Sequence, residues 1–190
     1  IQTNLKDLGI ATYIDDHYLA IDKNDNEKWI WENDGLHIDQ IPKFSVEWVE
    51  YFGLPIRLSQ IVPLTIYQQT AYSLVAETNF ENHYVFFTEK IVKPILARRL
   101  FIIVGNRYSL RTLKAMGFKT FDSIIDESYD DIEPTNQRFE AALNQLEWLC
   151  KQDQQTIFAQ CQEITEHNFK HMMTTDWYQL FLKEYKNYFL

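Results

Sequence analysis

Thr88-Glu89-Lys90-Ile91-Val92-Lys93-Pro94-Ile95 lies between two apolar runs, Ser73-Leu74-Val75-Ala76 and Leu100-Phe101-Ile102-Ile103-Val104. That order reads as buried strand, loop, helix and buried strand, the unit of a parallel sheet. Thr88 is a good N-cap, and Glu89 in the first turn complements the helix dipole. Lys90 and Lys93 do not suit it. Two ammonium groups near a helix N-terminus are electrostatically misplaced unless an anion binds there. A phosphate would resolve the conflict, because the free N–H groups and the dipole already favour negative charge. The plainer account makes both lysines the solvated face of a short amphipathic helix.

Outward from this unit the chain reads as follows. Ser45 starts a helix through about Phe52, closed by Gly53. Pro55 and Pro63 bracket a connector, and 64–69 is helical or irregular. Pro94 bends the Lys90 helix or ends its regular bonding. After the second strand, Gly105-Asn106 turns, Ser109 caps a helix over 110–116, and Gly117 ends it in the left-handed conformation. Phe118 to Phe121 reads as a third strand, and Asp122 to Glu133 as an acidic loop. Pro134 opens a helix to about Lys151, and 156–172 and 176–189 are two more amphipathic helices. The divisions are an irregular segment at 1–44, a remnant of a preceding domain, an α/β core at 45–133, and C-terminal helices at 134–190 packing on that core.

In an open parallel sheet, ligands bind beyond the carboxyl ends of the strands. Glu77, Thr78 and Asn79 fall at one such end and Gly105 and Asn106 at the next. The helix start at Thr88 falls on the same rim if the loop folds back as a crossover requires. Glu77, Glu89, Lys90, Lys93 and Gly105 are therefore expected to converge on one crevice. Arg107 and Arg111 flank the next helix start, within reach of a phosphate. Arg98 and Arg99 read as partners of a helix C-terminus.

From Tyr72 to Tyr129, somewhat under a third of the chain, the sequence resembles the donor-binding half of the fucosyltransferase-like glycosyltransferases, the group that includes α1,3-fucosyltransferases. The matching stretches are Glu77-Thr78-Asn79, Thr88-Glu89-Lys90 and Phe101-Ile102-Ile103-Val104-Gly105. Gly117-Phe118-Lys119-Thr120-Phe121-Asp122 and Ile125-Asp126-Glu127-Ser128-Tyr129-Asp130 look like the tail found in bacterial and viral relatives. The resemblance implies a Rossmann-like open parallel sheet, half of a GT-B architecture, with a helical C-terminal cap. It implies a nucleotide diphosphate sugar, GDP-linked, as donor, with Lys90 on the diphosphate, Glu89 on the ribose and Glu77 facing the sugar. The implied reaction is inverting, metal-independent transfer to a glycan acceptor with no further cofactor. The family's catalytic base belongs to an N-terminal acceptor domain, and no region here resembles it. The early donor-domain strands and their arginine also lack a match. Catalysis would then need a partner domain or chain.

The totals limit the alternatives. With 190 residues, 46% apolar and 24% charged, the chain can form one substantial core, and 15% aromatic residues should fill it well. A net charge of −9 argues against a general nucleic-acid binder but not against one bound nucleotide. No apolar run reaches membrane-span length. Ile1-Gln2-Thr3-Asn4 shows no signal peptide and no initiator methionine, so the chain reads as a fragment or a processed form. Cys150 and Cys161 lack metal-ligand spacing and read as reduced thiols, which suits the cytoplasm. His167 and His171 stand four apart on a helix, but no third ligand is in view, so a solvated face is expected rather than a metal site. The rival reading is a non-catalytic α/β assembly module, with Trp177, Tyr178, Phe181, Tyr185 and Tyr188 lining an interface. Core packing accounts for the same aromatics.

Overall fold

A computed structural model describes residues 48–51, 54–57, 62, 64–78, 80–180 and 182. The division at 1–44 and site residue Asn79 lie outside these described residues. The predicted strand–helix–strand unit is present. Strand β3 (Tyr72–Ala76) pairs in parallel with β4 (Leu100–Val104), Tyr72 beside Leu100 and Ala76 beside Val104. Glu77 N–H donates to the Val104 carbonyl at 2.9 Å and extends the ladder by one bond. All five residues of β4 are buried. Successive strand residues face opposite ways, so β4 is covered on both sides, which its uninterrupted apolar run requires.

Helix α2 (Glu89–Leu96) is the crossover, and it tolerates Pro94 because it ends almost at once. Arg98 adopts the left-handed conformation at φ 52°, Arg98 N–H donates to the Ile95 carbonyl at 3.1 Å, and Arg99 N–H donates to the Pro94 carbonyl at 2.9 Å. These two bonds close a Schellman terminator without a glycine. The Arg98 side chain does not serve this helix end. Its Nε donates to Glu166 Oε2 at 2.8 Å, and the guanidinium lies 3.7 Å from the Phe169 ring centre.

Helix α3 (Ser109–Ala115) ends in the same way, with Gly117 at φ 93° as predicted, Gly117 N–H on the Lys114 carbonyl and Phe118 N–H on the Leu113 carbonyl. His171 Nε2 donates to the Met116 carbonyl at 2.8 Å and His167 Nε2 to the Gly117 carbonyl at 3.0 Å. These two histidines satisfy the carbonyls at the end of α3 and are not a solvated face. A Cβ on Gly117 would come within 2.8 Å of the His171 ring. Gly117→Ala is therefore expected to cost about 2 kcal/mol from left-handed strain and the clash together, a loss of about 4–8 °C in thermal midpoint by calorimetry.

Three expectations are corrected. The stretch expected as a helix from Ser45 contains strand β1 (Trp48–Tyr51), and β2 (Leu54–Arg57) runs across Pro55 into the start of the expected connector. The two pair antiparallel with Trp48 beside Arg57. Aromatic and β-branched residues favour the extended chain, and only Phe52-Gly53 separates the paired ends. Phe118, Thr120 and Phe121 are buried, but the segment is not a strand. Its backbone is bonded by side chains instead. Lys119 N–H donates to Asn168 Oδ1, and Asn168 Nδ2 donates back to the Lys119 carbonyl, both at 2.8 Å. Phe121 N–H and the Thr120 hydroxyl donate to Glu127, both at 2.6 Å. Finally, Ser109 does not cap α3. Its hydroxyl donates to the Asn106 carbonyl at 2.7 Å, and the Asp130 carboxylate accepts from Leu110 and Arg111 N–H, both at 3.0 Å.

Before α2 the chain forms helix α1 (Leu64–Gln69), and beyond α3 a 3-10 turn covers Glu127–Asp131. Helix α4 (Thr135–Cys150) follows Pro134 and packs on β4 and the 3-10 turn. Helix α5 (Gln154–Thr174) packs on α2 and α4. The last predicted helix is described at residues 176–180 and 182, of which 177–180 and 182 are helical. Trp177 stacks on Phe118 with ring centres 5.8 Å apart, so this aromatic joins the core. The molecule is mixed α/β, mostly helical, with a two-strand parallel sheet among the described residues. Both cysteines are free thiols, and Cys161 is buried. Among the described residues no helix is long and apolar enough to cross a membrane, and no three His, Cys, Asp or Glu groups could hold a metal.

Candidate functional site

The carboxyl rim of the parallel pair gathers most of the predicted residues. Thr88 caps α2 from an extended conformation, and its hydroxyl accepts from Lys90 N–H at 3.3 Å. That hydroxyl donates to Glu77 Oε2 at 2.6 Å, and Thr88 N–H reaches Glu77 Oε1 at 3.3 Å. Glu77 is only 3% exposed. Its carboxylate, expected at a sugar, is turned inward and joins the end of β3 to the start of α2. A charge-assisted bond of this length makes a stiff joint.

The Lys90 ammonium folds over this joint. It donates to Thr78 Oγ1 at 3.0 Å and to Thr88 Oγ1 at 3.3 Å, with Glu89 Oε1 3.6 Å away. The Lys90 and Glu89 side chains are 40% and 39% exposed, so their ion pair is open to solvent and weak. Lys93 lies one turn on. Burial pushes its pKa down, with Glu89 opposing and Lys90 reinforcing that shift. Gly105, at the end of β4, is buried, and a Cβ built on it would lie 3.6 Å from Glu77 Cβ. The rim thus joins Glu77, Thr78, Thr88, Glu89, Lys90 and Gly105.

Beside Gly105 opens a cleft of about 490 Å³, walled by the loop from Phe80 to Val85, by Arg107, Tyr108 and Thr112, and by Glu133, Thr135 and Arg138. Asn106 Nδ2 donates to the Asn82 carbonyl at 3.0 Å and also to that of Tyr84, which ties the loop to the end of β4. Tyr108 holds the left-handed conformation at φ 70°. Its ring lies between two guanidiniums, 4.5 Å from that of Arg107 and 4.1 Å from that of Arg111. Both arginines meet carboxylates, Arg107 at 3.7 Å from Glu133 and Arg111 at 2.7 Å from Asp131. The placement that sequence reasoning expected at a helix start is present, but these charges are partly neutralised.

Arg138 was not anticipated. It is 3% exposed, and its five hydrogen bonds reach the Gly105 carbonyl (3.0 Å), the Ile132 and Glu133 carbonyls (2.7 and 3.0 Å), the Phe80 carbonyl (3.1 Å) and Thr135 Oγ1 (3.3 Å). One side chain thereby holds the loop after β3, the end of β4 and the start of α4. Among the described residues no carboxylate forms an ion pair with it. Burial lowers its pKa, Asp130 raises it from a distance, and the guanidinium keeps its charge. Backbone carbonyl dipoles supply most of its direct partners, and the carboxylates of Asp130 and Glu81 act on it from a distance. The signal in the sequence was its register: Arg138, Ala142 and Leu149 share the buried face of α4.

No family model matches this chain, and no curated protein or solved structure is significantly similar to it.

Proposed function

We propose that the chain is the donor-binding half of a fucosyltransferase-like glycosyltransferase, holding a nucleotide diphosphate sugar, GDP-linked, on the carboxyl rim of its parallel pair. The observation that carries this reading is the Lys90 ammonium. It sits at the start of a crossover helix, steered by two hydroxyls and paired, among the described residues, only with the half-exposed Glu89. An incoming diphosphate would replace Glu89 beside Lys90 with little loss, freeing that carboxylate for a ribose diol. Lys90 would then stabilise the negative charge that develops on the departing diphosphate. Glu77 holds the cap on which Lys90 rests, and Arg138 holds the adjoining cleft. Deprotonation of the acceptor glycan needs a base from a partner domain or chain. No metal enters this scheme, so the donor should bind in the presence of a chelator.

Thermal midpoints measured with GDP, UDP and their sugars test the reading. At a hundred times its dissociation constant, GDP should add about 2.7 kcal/mol of stability, and Lys90→Ala should abolish the gain while folding normally. A wild-type protein that gains nothing from any nucleotide would favour the assembly-module reading.

A further inference from the structure

At the opposite end of the parallel pair lies a second cavity of about 350 Å³, bounded by the end of α1, the starts of β3 and β4, and the first turns of α5. Among the described residues that line it, none is acidic, and the charged ones are Arg98 and Arg99. Arg98 is engaged by Glu166 and Phe169. Arg99 differs: one terminal nitrogen donates to the Tyr67 carbonyl, while its Nε is buried without an acceptor. The Tyr72 hydroxyl, also on the lining, is buried without a partner as well. Both unmet donors belong to the lining of this one cavity. Gln68, Gln154 and Gln155 add neutral amides, and Phe158, 60% exposed, forms an apolar lip.

We propose that this cavity binds a small organic carboxylate. A buried donor without an acceptor is unfavourable, and a carboxylate offers two oxygens, one for Arg99 Nε–H and one for the Tyr72 hydroxyl. One guanidinium that pairs with no carboxylate among the described residues matches a single negative charge better than the double charge of phosphate. On a chain of net charge −9, the only charged residues among the described lining of this cavity are arginines. The volume is at the low end of small-molecule sites, about 300–1,000 Å³, so the ligand is smaller than a nucleotide.

Calorimetric titration of the full chain at neutral pH with the monocarboxylates acetate and benzoate and with inorganic phosphate, at constant ionic strength, tests this. Saturable binding of a carboxylate is expected. Arg99→Gln should weaken it about tenfold or more, while Lys90→Ala should leave it unchanged. Should Arg99→Gln fail to fold, Tyr72→Phe, which removes one hydroxyl, should still weaken binding several-fold. Absence of saturable carboxylate binding by wild type overturns the proposal. So does binding of phosphate alone, or binding that neither Arg99→Gln nor Tyr72→Phe reduces.

Discussion

Replacing Arg138 with alanine will cost about 3–5 kcal/mol of folding stability, from the cavity it leaves and the buried carbonyls it strands. The loss has two parts. A cavity opens beside β4, and carbonyls from three separate segments lose their common donor. Arg138→Lys separates charge from geometry. A lysine keeps the positive charge but offers three donors from a single point, where the guanidinium fork supplies five hydrogen bonds. It should recover less than half of the loss. Urea denaturation at neutral pH measures both variants. A cost below about 1 kcal/mol for Arg138→Ala would mean that Arg138 does not organise the cleft. Hydrogen exchange of the amides from Phe80 to Val85 should rise in both variants, because Arg138 binds the Phe80 carbonyl.

Asn168→Asp will destabilise by about 3 kcal/mol at neutral pH, more than Asn168→Ala at about 2 kcal/mol, although aspartate has nearly the same shape. Asn168 is 1% exposed and both accepts from and donates to the backbone of Lys119. The introduced carboxylate keeps the acceptor but sets a second oxygen against the Lys119 carbonyl. Repulsion and burial then raise its folded-state pKa above the unfolded value of about 3.9. An acid whose pKa is raised on folding is penalised while ionised, and the penalty is relieved as pH falls through the folded-state pKa. The gap between the variant and wild type should therefore narrow from pH 7 towards about pH 4, and denaturation curves at both pH values measure it. A gap that stays constant would mean that the amide is not the partner of this buried segment.

The elements that were legible share one property: their causes lie close in sequence. The apolar runs of β3 and β4, the Thr88 cap, the left-handed Gly117 and the Pro134 start all depend on residues within a turn or two. The misread elements depend on distant groups. Ser109 looked like a cap, but Asp130 reaches α3 from beyond the Phe118–Phe121 segment. That segment has the burial and residue types of a strand, yet its ladder partners are the side chains of Asn168 and Glu127. His167 and His171 appeared solvated until α5 was placed against the end of α3. The rim shows the same division. Parallel topology alone called for Glu77, Thr88, Lys90 and Gly105 to meet, because a crossover must return to the same edge of the sheet. It could not foresee that Glu77 would turn inward to brace Thr88 rather than face outward.

The sequence by itself determined the strand–helix–strand unit, its Thr88 cap and most of the residues of its rim, since periodicity, capping chemistry and a connection's return are local or topological facts. Only the tertiary structure decided which polar groups are satisfied and by whom. A buried donor takes whatever acceptor packing brings within about 3 Å, and at Arg138, Asn168 and Asp130 that acceptor or donor comes from another segment of the chain.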